Sequence, residues 1–185
     1  GTHNFKLTAT DPVGNTSATR HNPSNVQAGG NATLTSQRDL TAQGSTITAG
    51  QDLKLQSTGG SVDLQALKSS SDTSSTSTSG RSFFARTSTT TTHTEAVHGP
   101  QLQAGGNAQV LAAQNLNAQS LQLQAGGNAT LAAAGALALT SEQAYSRTQT
   151  GSDVRQSLQT ERTQIQAAGN ATLYGQQGVQ IDAAD

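Results

Sequence analysis

The chain has 185 residues, 11% of them charged, with a formal net charge of -1 and only 3% aromatic residues; Cys, Met and Trp are absent. This composition does not build an ordinary aromatic-rich core, supplies no basic stripe for nucleic acid, and contains no run near the roughly 18 apolar residues of a membrane helix. Low net charge with Leu, Ile and Val at regular spacing also argues against disorder of the whole chain.

The amino-terminal stretch carries an incomplete strand signal, FKL at Phe5 to Leu7, and then a polar segment, Asp11 to Pro23, expected as the tail of an excursion. QAGGNATL follows at Gln27 to Leu34. It returns as QAGGNAQV from Gln103, QAGGNATL from Gln124 and QAAGNATL from Gln166. A catalytic motif occurs once, whereas a unit used four times is a building element. The step from Ala28 to Ala49 equals that from Ala104 to Ala125, and the step from Ala125 to Ala167 is twice as long. Leu34, Leu40 and Ile47 precede Val110, Leu116 and Leu123 by one common offset, the same that separates Ala28 from Ala104. The pieces GNATL, STIT, QDLKL, SVDL, LQLQ and ALAL alternate apolar with polar or small residues, as half-buried strands do. Gly29-Gly30-Asn31, Gly50-Gln51-Asp52 and Gly59-Gly60-Ser61 are read as corners, supplying residues that tolerate positive φ. Gly105, Gly106, Asn107, Gly126, Gly127, Asn128, Gly169 and Asn170 repeat the first of these corners.

Strands this short bury nothing alone. Stacking each on its equivalent one period later, about 4.8 Å away, solves the problem and predicts an all-β parallel β-helix of about 21 residues per coil. Leu34, Leu55, Val110 and Leu131 are expected to form an inward column, with Ala32, Ala108 and Ala129 in narrower places. Two further excursions, about 65–100 and 140–163, interrupt the period at equivalent points, so the chain reads as one β-helix segment, 1–185. TSTTTTHTEAV is expected to pair with SDTSSTSTS as a hairpin, disorder being the competing reading of such tracts.

The units AGGNATL and AGxDLxL, the Ser-rich run and GRSFFARTSTTTTH at Gly80 to His93 resemble the haemagglutinin repeats of filamentous haemagglutinins and contact-dependent growth inhibition proteins. That resemblance implies a right-handed β-helix and makes the chain an expected internal fragment of a longer secreted, cell-surface exoprotein of a Gram-negative bacterium. It implies an outer-membrane secretion partner for the parent protein. The segment then acts as a stalk presenting distal adhesive or toxin domains, or its insertions contact a receptor, glycan or the outer membrane of a target cell.

Enzymatic chemistry is not expected. From Ala28 to Leu64 the only charges are Arg38, Asp39, Asp52, Lys54 and Asp63, and between Ala104 and Leu139 there are none, so paired carboxylates for acid–base work are lacking. No cofactor is expected, and His3, His21, His93 and His98 have no ligand spacing; His93 and His98 read as solvated. Asn-x-Ser/Thr sequons occur at Asn15, Asn31, Asn128 and Asn170; the last three fall inside the repeat, where Asn is better explained as a turn residue or a stacked ladder along the coil than as a glycosylation site. The sharpest contact candidate is Arg81, Phe83, Phe84 and Arg86, an aromatic and basic tip; the competing reading packs both Phe residues back onto the coils. Uncovered coil edges also make end-to-end self-association an expectation.

Overall fold

The computed structural model describes residues 5–10, 16–22, 24–79 and 86–182, and every regular element among them is a β-strand. In chain order these are β1 (Phe5–Thr10) and β2 (Thr16–Asn22), then β3 (Asn25–Ala28), β4 (Ala32–Ser36) and β5 (Leu40–Gln43). A second trio follows, β6 (Thr46–Ala49), β7 (Leu53–Ser57) and β8 (Val62–Gln65), and then the long pair β9 (Leu67–Ser79) and β10 (Arg86–His98). The third and fourth trios are β11 (Gln101–Ala104), β12 (Ala108–Ala112), β13 (Leu116–Gln119), and β14 (Gln122–Ala125), β15 (Ala129–Ala133), β16 (Leu137–Thr140). A second pair, β17 (Glu142–Thr150) and β18 (Asp153–Glu161), precedes the last trio, β19 (Gln164–Ala167), β20 (Ala171–Gly175) and β21 (Val179–Ile181).

Each trio is one coil. First strands pair in parallel as β3-β6-β11-β14-β19, second strands as β4-β7-β12-β15-β20 and third strands as β5-β8-β13-β16-β21. The molecule is therefore a parallel β-helix of three five-stranded sheets. Leu34, Leu55, Val110, Leu131 and Leu173 occupy successive rungs of one column. The corner at Gly59-Gly60 is longer by one residue than the corner below it, and the pairing follows: Leu34 faces Leu55, whereas Leu40 faces Val62, one position further along.

The interior follows from alternation. Leu55, Val110 and Leu131 are fully buried, as are Val62, Leu116 and Leu137, whereas Leu34, Leu40 and Leu173 in the outer coils are only partly covered. Burying one such aliphatic contributes roughly 1.5–3 kcal/mol, and ordering one backbone residue costs about 1–2 kcal/mol. A coil alone does not stabilise itself, and the stack does. Ala32, Ala108 and Ala129 share a narrow column with Leu53, the one large residue among them.

The glycine corners correct an expectation. Among the described residues positive φ occurs at Gly44, Gly151, Gly178 and Ser120, and not at Gly29, Gly30, Gly50, Gly105, Gly106, Gly126, Gly127 or Gly169. Axial crowding is the reason for glycine at this first corner. A Cβ on Gly50 meets the carbonyl oxygen of Gly29, one on Gly105 meets that of Gly50, and one on Gly126 meets that of Gly105. Nothing lies near Gly29 or Gly30, beneath which the described chain places no coil. In the fifth coil Ala168 stands in this column, donating its N–H to the Ala125 carbonyl at 3.0 Å as Gly126 donates to Ala104 at 2.9 Å.

The excursions leave from the third corner. Where the coil closes directly, the corner residue is left-handed: Gly44 at φ 53° and Ser120 at φ 51°. Where it opens, β8 runs into β9 and β16 into β17. All excursion strands join one antiparallel sheet, β1-β2-β9-β10-β17-β18, standing beside the coils. β1, read from the sequence as an incomplete strand, pairs with β2 along its whole length, Phe5 opposite Asn22 to Thr10 opposite Ser17.

Candidate functional site

The excursion sheet holds a network of side-chain ion pairs and the longest exposed strands among the described residues. β9 and β10 form a hairpin paired at every one of their 13 positions, from Leu67 opposite His98 to Ser79 opposite Arg86. The neighbours overlap this hairpin only in part: β2 meets β9 from Thr16–Thr73 to Thr19–Ser70, and β17 meets β10 from Thr90–Thr150 to Thr94–Ser146. On the β17 side the outer part of the hairpin therefore projects past the turn at Gly151. Its cross-strand pairs are hydroxyls, Thr76 with Thr89 and Thr78 with Thr87, each at 3.3 Å.

Arg86 opens β10 and is exposed. Arg81, Phe83 and Phe84, the other members of the expected contact tip, lie outside the described residues.

At the base of the hairpins a charged joint links three strands. Lys68 Nζ on β9 lies 2.9 Å from Glu142 Oε1 on β17 and 3.5 Å from Glu95 Oε2 on β10. The second Glu142 oxygen accepts from Gln119 Nε2 at 2.6 Å, which ties the joint to the coil. Glu95 Oε2 accepts the backbone N–H of Tyr145 at 3.0 Å, one position beyond the last ladder pair of β10 and β17. His93 Nδ1 lies 2.5 Å from Asp72 Oδ1 and its Nε2 3.8 Å from Glu95 Oε1, with the Tyr145 ring centroid 6.1 Å away. His93 is thus not solvated as a pair with His98; it is held across the β9–β10 ladder.

The electrostatics follow these contacts. The hydrogen bond to Asp72 raises the His93 pKa, partial desolvation opposing it. The Tyr145 N–H lowers the Glu95 pKa, with Lys68 adding to it, and the bond to Glu142 raises that of Lys68. Side chains here are 21–51% exposed, so salt screens the joint and its role is alignment of the hairpins more than gross stability.

Ser120 is the hub that sequence reasoning missed. Fully buried at the third corner, it donates its hydroxyl to the Glu161 carbonyl at 2.7 Å and accepts the Glu142 N–H at 3.0 Å. One side chain closes both ends of the β17–β18 excursion. A left-handed non-glycine residue is recognisable only from the backbone, and the QNLNAQSLQ context gives no warning of it.

The first corner carries an amide ladder. Asp52 N donates to Asn31 Oδ1 at 3.0 Å, Asn107 N to Asp52 Oδ1 at 2.7 Å, Asn128 N to Asn107 Oδ1 at 2.9 Å and Asn170 N to Asn128 Oδ1 at 2.8 Å. The side-chain oxygens of Asn31, Asp52, Asn107 and Asn128 are thus engaged within the fold. Among the described residues no group of three or more His, Asp or Glu is placed to hold a metal ion.

The pattern of the Hemagglutinin repeat family matches residues 11–84 and 81–184, nearly the whole chain. The chain belongs to that family. Comparison with curated proteins and with solved structures returned no match.

Proposed function

We propose that this segment is a stiff, non-enzymatic spacer of a secreted, adhesin-like exoprotein, its coils setting reach and its excursion sheet forming the surface offered to the surroundings. The observation that carries the reading is the division of labour along the chain. The coils share one apolar core from Ala32 to Leu139, while the ion pairs and the exposed Ser/Thr strands sit in the excursions. A continuous core resists bending, because separating two coils breaks three parallel ladders at once.

Family membership supports a secreted or cell-surface setting and, in general terms, two-partner secretion, with an outer-membrane partner exporting the parent protein. In a Gram-negative envelope, successive coils stacking on those already folded outside the cell would bias movement outward. We assign no reaction: among the described residues His93 meets the carboxylates of Asp72 and Glu95 and no hydroxyl nucleophile within hydrogen-bond reach.

A second reading is an active adhesion or translocation module that touches a target-cell receptor, glycan or outer membrane. The projecting β9–β10 hairpin favours it. Sedimentation of the purified chain with outer-membrane vesicles, as wild type and as the Phe83→Ser, Phe84→Ser double variant, separates the two. No co-sedimentation of either supports the spacer. Co-sedimentation lost in the folded double variant overturns it in favour of the contact module.

A further inference from the structure

The outward face of the first sheet repeats one amide side chain at a fixed step. β11, β14 and β19 read Gln-Leu-Gln-Ala, Gln-Leu-Gln-Ala and Gln-Ile-Gln-Ala, with the apolar residues turned to the core and the glutamines turned out. Parallel pairing in register stacks Gln101, Gln122 and Gln164 in one axial row and Gln103, Gln124 and Gln166 in a second. No first strand in the five coils carries a charged residue. The amides are not consumed by the fold. Among the described residues only Gln122 of these six uses its side chain, donating an Nε2 hydrogen to the Arg162 carbonyl at 2.8 Å. Each of the others keeps an acceptor oxygen and two donor hydrogens for a ligand.

Beside the second row the strands end in small residues. Ala104, Ala125 and Ala167 are followed by Gly105, Gly126 and Ala168, and together with the glutamines they leave a groove of about 600 Å³ that crosses four coils. That is the size of a small-ligand site. No aromatic residue lines it, so recognition rests on the amides. The dimensions then select the occupant. Five strands about 4.8 Å apart and four residues long give a face of roughly 24 by 13 Å, about 300 Å². A stable protein interface takes about 800 Å² from each partner, so this face is too small for a second copy or another protein. The lack of charge argues against an anionic polymer. A slender, uncharged chain with amide groups of its own, lying lengthwise, matches both the groove and the side chains.

We propose that the groove binds a linear, uncharged glycan of N-acetylhexosamine units lying along the helix axis. Gln103 and Gln166 are two coil steps apart, about 9.6 Å. In an extended β-linked chain alternate sugars present their acetamido groups on the same side, at a spacing close to that distance. Each acetamido N–H then donates to a glutamine Oε1 and its carbonyl accepts from Nε2, while the methyl lies on the Ala and Gly floor. Gln124, between them, meets ring hydroxyls. The site is on the coils, so it stands or falls independently of what the excursion sheet contacts.

Titration of the full chain with chitohexaose, followed by the side-chain amide signals in nuclear magnetic resonance, tests it. Cellohexaose, which has the same backbone without acetamido groups, is the control ligand. The Gln103→Ala, Gln166→Ala double variant removes the two amides, and Gln109→Ala, on the outward row of the second sheet, is the control variant; circular dichroism confirms that both keep their strand content. Chitohexaose is expected to bind saturably and to shift the signals of Gln103, Gln124 and Gln166, with cellohexaose binding at least about tenfold more weakly. The double variant is expected to lose about tenfold or more in affinity, and Gln109→Ala to match the wild type. The proposal is overturned if chitohexaose does not bind saturably, if the two hexasaccharides bind equally, or if the double variant binds as the wild type does.

Discussion

In the amide ladder the same substitution, Asn to Asp, is expected to be neutral at one rung and destabilising at another. Asn128 Oδ1 accepts the Asn170 N–H at 2.8 Å, and Asn107 Oδ1 accepts the Asn128 N–H at 2.9 Å. Asn128→Ala leaves the Asn170 N–H without its partner. At a site open to water the loss is about 0.5–1.5 kcal/mol. For a chain of this length that lowers Tm by about 2–4 °C per kcal/mol. Asn128→Asp retains an acceptor in the same place and stands between neutral Asn107 and Asn170, so it matches the wild type at neutral pH. Asn107→Asp does not. Asn107 Nδ2 donates to Asp52 Oδ1 at 3.3 Å, and a carboxylate there replaces that bond with repulsion of about 1 kcal/mol in water at about 4 Å. Thermal unfolding followed by circular dichroism at low and high salt measures all three. The ladder account predicts that salt relieves Asn107→Asp and does not change Asn128→Ala. If Asn128→Ala melts with the wild type, or if the two Asp variants behave alike, the ladder is not the source of corner stability.

Three further outcomes follow from the core, the hub and the joint. Leu131→Ala removes a fully buried side chain between Val110 and Leu173 and is expected to cost about 2–5 kcal/mol in urea unfolding, whereas Leu158→Ala, 66% exposed on β18, stays within about 0.5 kcal/mol of wild type. Ser120→Ala leaves a part-buried Glu142 N–H without its partner and costs about 0.5–1.5 kcal/mol; amide exchange at Glu142 should accelerate more than exchange in β12. The joint responds to pH from both sides. The raised His93 pKa stabilises fully below about pH 6.5, and that contribution is lost as pH rises through the folded-state value. The lowered Glu95 pKa stabilises above about pH 4.5 and is lost as pH falls through its folded-state value. Urea midpoints across pH should therefore show His93→Gln flattening the neutral-to-alkaline limb and Glu95→Gln flattening the acid limb; limbs unchanged in both variants would exclude the joint as their origin.

What the sequence reveals and what it hides divide along a physical line. The columns through Leu34, Leu55, Val110 and Leu131 are readable because one face of each strand is buried, so a register slip would expose the whole set. The ladder through Asn31, Asn107, Asn128 and Asn170 is readable because it recurs with the same period. In the excursions neither condition holds. β9 and β10 are polar on both faces, so nothing in their composition says that Asp72 meets His93 or that Lys68 of one excursion reaches Glu142 of the next. Those contacts depend on register between hairpins from different parts of the chain. The corner glycines are legible as turn residues but not for their cause: they make room for the neighbouring coil's carbonyl, which only the stacked arrangement shows.

Five coils stack in register. Thr33, Lys54, Gln109, Thr130 and Thr172 are successive rungs of one outward-facing row. Four steps of about 4.8 Å place Thr33 and Thr172 about 19 Å apart, although most of the sequence lies between them. The chain contains no cysteine, so spin labels can be placed at Thr33→Cys and Thr172→Cys without background. Double electron–electron resonance should give one narrow distribution near that distance, allowing for the label arms, and a shorter one for Thr33→Cys with Gln109→Cys. A broad distribution, or equal distances for the two pairs, would contradict the stack.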